Sequence, residues 1–379
     1  MSQTKVEAPF VEGGGGSNFK NLMVNGDMKI AQRATSVSSH SADTYVNIDR
    51  WKTRVNNQGV FTVSQSTTVP TGEGFVSSQK WDCTTADASP ASTDYIIYQQ
   101  PIEAQNLQHL AYGTSSAKKL TLSFHVRSNK TGAYTVGLYS EDGTRHIVSS
   151  YTISSADTWE KKIVTFAGDT GGTINNDNGE GLRLWFWLGA GTNFSSGTHA
   201  TSWAAYDATN VLVDNQVNLA DSTDNEWYIT GIQLEVGDDA SDFEHLPTDV
   251  QLDRCMRYTY VHNNDADSDQ ALIFPGATRG GTNKFFYIQH PRPMRDTPSV
   301  TVSGEIRIIN CTAGDSADAD DTLTIGGVTP SIAGQNANEK GVTIAYTGAV
   351  TGITDTANTG YMMMFIKETN NKLTFDAEL

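Results

Sequence analysis

The stretch KKLTLSFHVRS, residues 118–128, alternates apolar and polar side chains with a period of two. Leu120, Leu122, Phe124 and Val126 fall on one face, and the residues between them fall on the other. A helix would repeat its apolar positions every three or four residues, so this alternation predicts a half-buried antiparallel β-strand. The sequence SNKTG follows and predicts the turn that ends the strand.

The same alternation recurs in short segments along the chain, separated by turn residues. The segment GLRLWFWLGAG, residues 181–191, places four apolar side chains on one face and three others opposite: Leu182, Leu184, Phe186 and Leu188 against Arg183, Trp185 and Trp187. For EWYITGIQLEVG, residues 226–237, we predict that the inward side chains are Tyr228, Ile232, Leu234 and Val236. The side chains predicted to point outward are Ile229, Gln233 and Glu235.

These strands have no helix-length periodic segment between them, which predicts an all-β protein built from β-sandwiches. One short region, residues 248–262, has helical spacing after the Thr248–Asp249 cap signal. We therefore predict an N-terminal tether at residues 1–20, a β-sandwich at 21–247, a helical connector at 248–262 and a second, smaller β-sandwich at 263–379.

Composition and charge exclude several classes of function. The formal net charge of -17 argues against binding to a nucleic acid, which requires clustered basic residues. No apolar run of about 18 residues occurs, so membrane insertion is not expected. Cys83, Cys255 and Cys311 lie far apart and form no CxxC motif, which predicts buried free thiols and assembly in a reducing cytoplasm.

An acidic cluster follows the strand in ITGIQLEVGDDASDFEH, residues 229–245. Carboxylates in one loop suit calcium, although the spacing of an EF-hand is absent, and a solvated turn is the alternative interpretation. His245 beside Glu244 is a candidate acid/base pair or, alternatively, a hydrogen-bonded surface residue. The chain has no GxSxG, P-loop, Rossmann or HExxH motif, so we predict that it is not an enzyme.

Trp185 and Trp187 are the candidate glycan-binding residues. They lie opposite the aliphatic face of their strand, where they either pack in a second layer or subunit interface, or stand exposed. Exposed aromatic rings on a β-sandwich stack against the C–H faces of sugars. Both interpretations stay open from the sequence.

The segment NLMVNGDM, residues 21–28, resembles the opening of galactose-binding-like jelly rolls of the carbohydrate-binding-module type. Those domains close with a strand similar to residues 228–236. The resemblance implies a jelly-roll sandwich with a structural calcium, and no other cofactor is expected. The candidate calcium ligands are Asp27, Glu235, Asp238 and Asp239.

Residues 21 to about 260 also resemble a domain of tailed-phage fibre and virion surface proteins. The matching runs include VNGDMKIAQR, NIDRW, LTLSFHVRSNKTGAYTV, ADTWEKKIVTFAGDT, ITGIQLEVG, DFEHLP and DRCMRYTY. This family implies a virion protein, usually trimeric, with an N-terminal anchor and no agreed catalytic residues.

The sequence thus predicts a homotrimeric tail fibre or related virion fibre that binds a host-surface glycan. We expect it at the virion surface after assembly in the host bacterial cytoplasm. Phe10, Val11 and Phe19 are predicted to attach the N-terminus to other virion proteins. The alternatives are a capsid-bound head fibre or decoration protein and, less favoured because β-helix repeats are absent, a glycan depolymerase.

Overall fold

The structure is a computed structural model that describes residues 19–263, 273–278, 283–303, 306–310, 323–325, 331–332, 338–347, 360–365 and 372–379. The strands of the first domain are β1 (Ser36–His40), β2 (Asp43–Thr44), β3 (Lys52–Asn56), β4 (Val60–Ser66), β5 (Ser78–Thr85), β6 (Tyr95–Glu103), β7 (Leu120–Ser128), β8 (Gly132–Ser140), β9 (Arg145–Ile153), β10 (Glu160–Phe166), β11 (Glu180–Ala190), β12 (Ala204–Ala205) and β13 (Glu226–Val236). Four short 3-10 helices occupy Ala104–Leu110, Thr192–Phe194, Ala208–Asn210 and Leu219–Asp221.

These strands form two antiparallel sheets. The front sheet has six strands in the order β1-β4-β5-β13-β7-β10, and the back sheet has seven in the order β12-β9-β8-β11-β6-β3-β2. The chain passes repeatedly from one sheet to the other, for example from β5 to β6, from β6 to β7 and from β10 to β11. The predicted all-β jelly-roll sandwich is confirmed.

The core between the two sheets is rich in aromatic side chains. Trp51 stacks on Tyr98 with ring centroids 4.9 Å apart, and Trp81 and Trp227 meet Tyr98 edge-on. All four rings are fully shielded from solvent. Aromatic side chains of this size bury large apolar areas, so they supply much of the driving force that holds the sheets together. The inward faces predicted for residues 118–128 and 181–191 are confirmed.

The predicted faces of β13 are wrong in its first half. Trp227 and Ile229 are buried in the core, whereas Tyr228 lies on the outer face, where the guanidinium of Arg127 lies 5.0 Å from its ring. The pairing of β13 with β7 shifts register between Thr230 and Gln233, around Gly231 with its φ of +64°. A β-bulge there inserts one extra residue and reverses the alternation.

Beyond the bulge, the inward positions of β13 are even-numbered. Ile232 and Leu234 lie in the core, as predicted, and Gln233 and Glu235 lie on the outer side. Val236, predicted to be inward, is 37% exposed at the end of the strand. The bulge therefore accounts for the reversed faces in the first half of β13, and the end of the strand accounts for the exposure of Val236.

The helix α1 (Thr248–Met256) follows the first domain. Its buried Cys255 packs against Val24 and Ile30 of the first domain, so the helix is anchored on that domain. Cys83 and Cys255 are buried free thiols, as predicted, and Cys311 lies outside the described residues. Within the described part of the chain, no helix is long and apolar enough to cross a membrane.

The second domain is also built from antiparallel strands. They are β14 (Thr259–Asn263), β15 (Ile273–Thr278), β16 (Asn283–Gln289), β17 (Ser299–Ser303), β18 (Ile306–Asn310), β19 (Leu323–Ile325), β20 (Ser331–Ile332), β21 (Gly341–Thr347), β22 (Gly360–Phe365) and β23 (Lys372–Asp376). One sheet has the order β14-β23-β17, and the other has the order β19-β18-β22-β15-β16-β21-β20. The last strand thus lies between the strand that opens the domain and β17.

The chain end after β23 returns to the first domain and forms what we call the C-terminal clasp, made by Arg33, Arg50, Arg295, Asp376 and Glu378. Arg50 ion-pairs with Glu378, and both side chains are at most 4% exposed. Arg33 bonds Asp376 at 2.9 Å, and Arg295 donates 3.2 Å to the Glu378 carbonyl oxygen. The clasp therefore joins the two domains through charged hydrogen bonds from Arg33 and Arg50, of which the Arg50–Glu378 pair is buried.

From two histidines in the second domain we predict that the folded protein loses stability in acid. His262 and His290 both pack against the ring of Phe375. Burial lowers the pKa of each imidazole to about 4, and the neighbouring His290 contributes to the shift at His262. The unfolded chain, with ordinary values near 6.5, binds more protons between about pH 6.5 and pH 4. Stability is therefore lost as the pH falls through that window.

Asp49 acts in the opposite direction, because burial raises its carboxyl pKa to about 6. Its contribution to stability is lost as the pH rises through that value, so it offsets part of the effect of the histidines, whose pKa values burial lowers at His40, His109, His125 and His146 as well. We expect the melting temperature to fall between about pH 7 and about pH 5, and calorimetry of the full chain measures it. In the H262N/H290N variant the fall should be smaller. An identical fall in the variant would contradict this assignment.

Candidate functional site

A cleft of about 210 Å³ opens on the outer face of the front sheet. We call it the His125 cleft. Its floor comes from β7 and from the bulge in β13, and its walls come from the segment before β5 and the segment after β13. The residues that line it are Gly72, Glu73, Ser123, His125, Lys161, Gly231, Asp242, Phe243 and His245.

Four rings pack together at this cleft. Phe75 lies at the centre, with ring centroids 5.4 Å from His125, 5.0 Å from Phe243 and 5.1 Å from His245. Phe75 is buried, Phe243 is half-buried and His245 is exposed. The cluster is therefore fixed from below by Phe75 and offers ring surface to solvent through Phe243 and His245.

Gly231 makes room for this cluster. A Cβ atom at this position would lie 2.5 Å from the Phe75 ring and 3.1 Å from Nδ1 of His125. The φ of +64° is also one that other residues adopt only with strain. The glycine thus serves the bulge in β13 and the close approach of both rings.

The carboxylate of Glu235 shapes the wall of the cleft. It accepts hydrogen bonds from the Ser241 backbone N–H and hydroxyl, both at 2.8 Å. Gln233 makes a further hydrogen bond to this loop: its side-chain oxygen accepts from the Glu244 N–H at 2.8 Å. These bonds bracket Phe243 and hold the loop over the sheet. Glu235 is therefore a structural acceptor for the loop backbone.

His125 provides the buried polar group of the cleft. Burial lowers its pKa, while Glu73, whose carboxylate lies 3.9 Å from Nε2, raises it and Lys161 lowers it. The imidazole is thus neutral near pH 7 and has one donor and one acceptor nitrogen. Its Nδ1 has no hydrogen-bond partner among the described residues. That atom is enclosed beside Gly231, so the side of the ring with Nε2, near Glu73, is the one that a ligand hydroxyl can approach.

The rim of the cleft is charged and exposed. Glu73, Lys161 and Asp242 are open to solvent, and Nε2 of His245 lies 3.1 Å from the backbone oxygen of Glu73. Carboxylate and ammonium groups at such a rim accept from and donate to hydroxyl groups. The arrangement combines ring surface, a neutral imidazole and ionic hydrogen-bonding groups in one concave place.

The predicted calcium ligands are not brought together. Asp27 is buried and pairs with Lys29 at 2.9 Å, Glu235 holds Ser241, and Asp238 pairs with Lys119 at 2.7 Å on the surface. Asp239 is exposed. Across the described residues, no group of three or more His, Cys, Asp or Glu side chains is arranged to hold a metal ion. The loop after β13 is organised by hydrogen bonds instead.

Trp185 and Trp187 are buried, at 3% and 1% exposure, and pack with Ile97. Side chains from the segment between β11 and β13 cover them, chiefly Val211 and Leu212. The rings cannot reach a sugar from solvent, so the glycan-stacking prediction is wrong for both. The reason is that a long connection folds back over the outer face of the back sheet.

One of the predicted attachment residues and both members of the candidate acid/base pair lie among the described residues. Phe10 and Val11 lie outside the described residues, whereas Phe19 is 37% exposed and lies 5.0 Å below the Arg254 guanidinium. Glu244 accepts from the backbone N–H groups of Lys20 and Asn21, so it is not paired with His245.

Sequence reasoning missed Glu73, Phe75 and Phe243 as site residues. They come from segments about 170 residues apart, and only the closed sandwich brings them together. The one local signal was the Gly-rich run TGEGF at 71–75, in which glycines flank a carboxylate and precede an aromatic ring.

No family model matches the sequence, and the curated proteins give no match. Among solved structures, the chain is similar to the enzymatically active domain of bacteriophage CBA120 tailspike protein 4, with 12% identity, a TM-score of 0.32 and coverage of 58% of this chain. The chain spans 22% of that protein.

Two carbohydrate-binding modules are also similar. TmCBM61, solved with β-1,4-galactotriose, has 7% identity and a TM-score of 0.30 over 58% of this chain and 100% of its own. The family 11 module from Clostridium thermocellum, solved with a mixed-linked tetrasaccharide, has 12% identity and a TM-score of 0.27 over 55% and 99%. TM-scores of this size assign no function to this chain.

Proposed function

We propose that the protein is a non-enzymatic glycan-binding component of a virion surface fibre, and that it binds sugar in the His125 cleft. The observation that carries the binding proposal is the combination in that cleft of the half-buried ring of Phe243 and the exposed ring of His245 with the imidazole of His125 that lines it. The resemblance of residues 21 to about 260 to phage fibre domains supports the virion setting.

Sugar binding follows from the chemistry of these groups. The C–H face of a pyranose packs on the ring of Phe243 or His245, where it loses contact with water. Its hydroxyl groups then bond the His125 imidazole and the charged groups of Glu73, Lys161 and Asp242. A site of about 210 Å³ takes one or two sugar rings and binds weakly.

A homotrimer allows a site of low affinity to attach the protein to a cell surface. Three copies presented to one cell surface act at high effective concentration, so avidity exceeds the affinity of any single cleft. We propose that this trimer is assembled in the bacterial cytoplasm and carried on the virion surface. Light scattering of the full chain checks the trimer, and a monomer at micromolar concentration would contradict it.

Binding without cleavage fits the carboxylates of the cleft. A glycosidase needs a general acid held in apolar surroundings that keep it protonated. Glu73 and Asp242 are both open to solvent and lack such surroundings. We therefore expect no release of reducing ends when the full chain is incubated with host polysaccharide.

The experiment is titration of the full-length protein with surface polysaccharide from the host bacterium. In the F243A/H245A variant we expect affinity to fall by roughly 10-fold or more, as for the loss of a hot-spot contact. The matched control is Y206A, which removes a 38% exposed ring outside the cleft. Equal losses in the two variants, or no binding by the wild type, would overturn the proposal.

A further inference from the structure

A second cavity, of about 290 Å³, lies where the start of the first domain meets helix α1. We call it the Arg254 pocket. Leu22, Val24, Pro101 and Ile102 supply apolar lining. It shares no residue with the His125 cleft, so its function can be tested separately.

The pocket is positively charged within a strongly acidic protein. Arg50, Arg254, Arg257 and His109 line it, and among the described residues no Asp or Glu does. The chain as a whole carries a net charge of -17. A local concentration of basic groups against that background favours anionic ligands at this one place.

Two of the three arginines already have carboxylate partners. Arg50 pairs with Glu378 in the C-terminal clasp, and Arg257 donates to both oxygens of Glu103 at 2.7 and 2.8 Å. Neither Glu378 nor Glu103 is among the residues that line the pocket. The positive charge of these two groups is therefore balanced without a ligand.

Arg254 differs from the other two. Its guanidinium donates to the Asn21 carbonyl oxygen at 3.4 Å and lies over the ring of Phe19. It forms no ion pair with the residues that the structure describes. Burial lowers its pKa and Arg50 lowers it further, while the carboxylate of Glu244, with which it forms no ion pair, raises it. The planar guanidinium therefore keeps donors that a ligand carboxylate can bond with two oxygens.

We propose that the Arg254 pocket binds a small carboxylate of sugar size, such as a hexuronate. Its carboxylate pairs with Arg254, and its carbon skeleton lies against Leu22 and Ile102. Its hydroxyl groups meet the exposed side chains of Asn106 and His109 at the rim. The proposal is independent of sugar binding in the His125 cleft, which shares no lining residue with this pocket, and either one can fail without the other.

The test titrates the full-length protein with galacturonate, with galactose as the uncharged counterpart and inorganic phosphate as the other anion. We expect binding of galacturonate in the millimolar range and roughly 10-fold weaker or no binding of the other two. Equal binding of phosphate would identify a general anion site, and equal binding of galactose would remove the role of the charge. Either result, or absence of galacturonate binding, overturns the proposal.

Two variants locate the site. R254Q keeps hydrogen-bonding capacity but removes the charge, and galacturonate affinity should fall by roughly 10-fold or more. R254K keeps the charge but cannot form the bidentate hydrogen bonds of a guanidinium, so its affinity for galacturonate should lie between those of wild type and R254Q. The control, R292Q, removes an exposed arginine paired with Asp253 outside the pocket. Wild-type affinity in R254Q, or an equal loss of affinity in R292Q, would contradict the assignment. The melting temperature of R254K shows whether a variant at this position keeps the fold.

Discussion

Replacing Glu378 with alanine is expected to lower the free energy of unfolding by about 3–5 kcal/mol. Arg50 is 1% exposed and would keep its charge in the interior without its carboxylate partner. Its remaining contacts are the Pro101 carbonyl oxygen at 2.7 Å and the Tyr258 ring, 3.5 Å away. Neither carries a countercharge. Chemical denaturation of the full chain measures the loss.

A control and a rescue variant sharpen this prediction. E141A removes a carboxylate that is half exposed and pairs with Arg183 at 3.2 Å, so its expected cost is at most about 1 kcal/mol. Replacing both partners with apolar groups of similar volume, R50M/E378M, should restore most of the stability that E378A loses. If E378A costs no more than E141A, the clasp does not hold the domains together.

Trp187→Ala should lower the free energy of unfolding by a similar amount, about 3–5 kcal/mol. The ring is 1% exposed and packs between Tyr95 and Phe194, with centroids 6.5 and 5.3 Å away. Its loss leaves a cavity between the back sheet and the segment that covers it. Affinity for host polysaccharide should not change at temperatures where the variant is folded.

The matched control for that variant is Trp159→Ala, which removes a half-buried tryptophan beside Tyr228 on the front sheet. Its stability loss should be clearly smaller, because the site is open and leaves no closed cavity. If the Trp187→Ala variant keeps normal stability but loses polysaccharide binding, then the Trp187 ring contacts the glycan, contrary to this account.

Much of the fold is predictable because alternation reports directly which side chains face a core. The strand at 118–128 and the aliphatic face of 181–191 follow from period two alone. The same rule failed in β13, where Gly231 inserts a bulge that the alternation does not reveal. It also failed to show which outer faces are covered, since Trp185 and Trp187 owe their burial to a connection that has no regular pattern.

The sites were less predictable than the fold, because each is assembled from distant segments. The His125 cleft combines Phe75 and Phe243, and the clasp brings Glu378 to Arg50, a partner more than 300 positions earlier. The acidic cluster around residue 235 was visible, but its part in fixing a loop depends on hydrogen bonds to backbone N–H groups. Composition gives no information on such pairings.

Hydrogen exchange of the full-length protein, with and without host surface polysaccharide, tests the central proposal most directly. Binding in the His125 cleft should slow exchange of backbone amides in residues 72–77, 123–125 and 241–245, and F243A/H245A should abolish that protection. Protection confined to other segments, or unchanged exchange at saturating polysaccharide, would contradict glycan binding in this cleft.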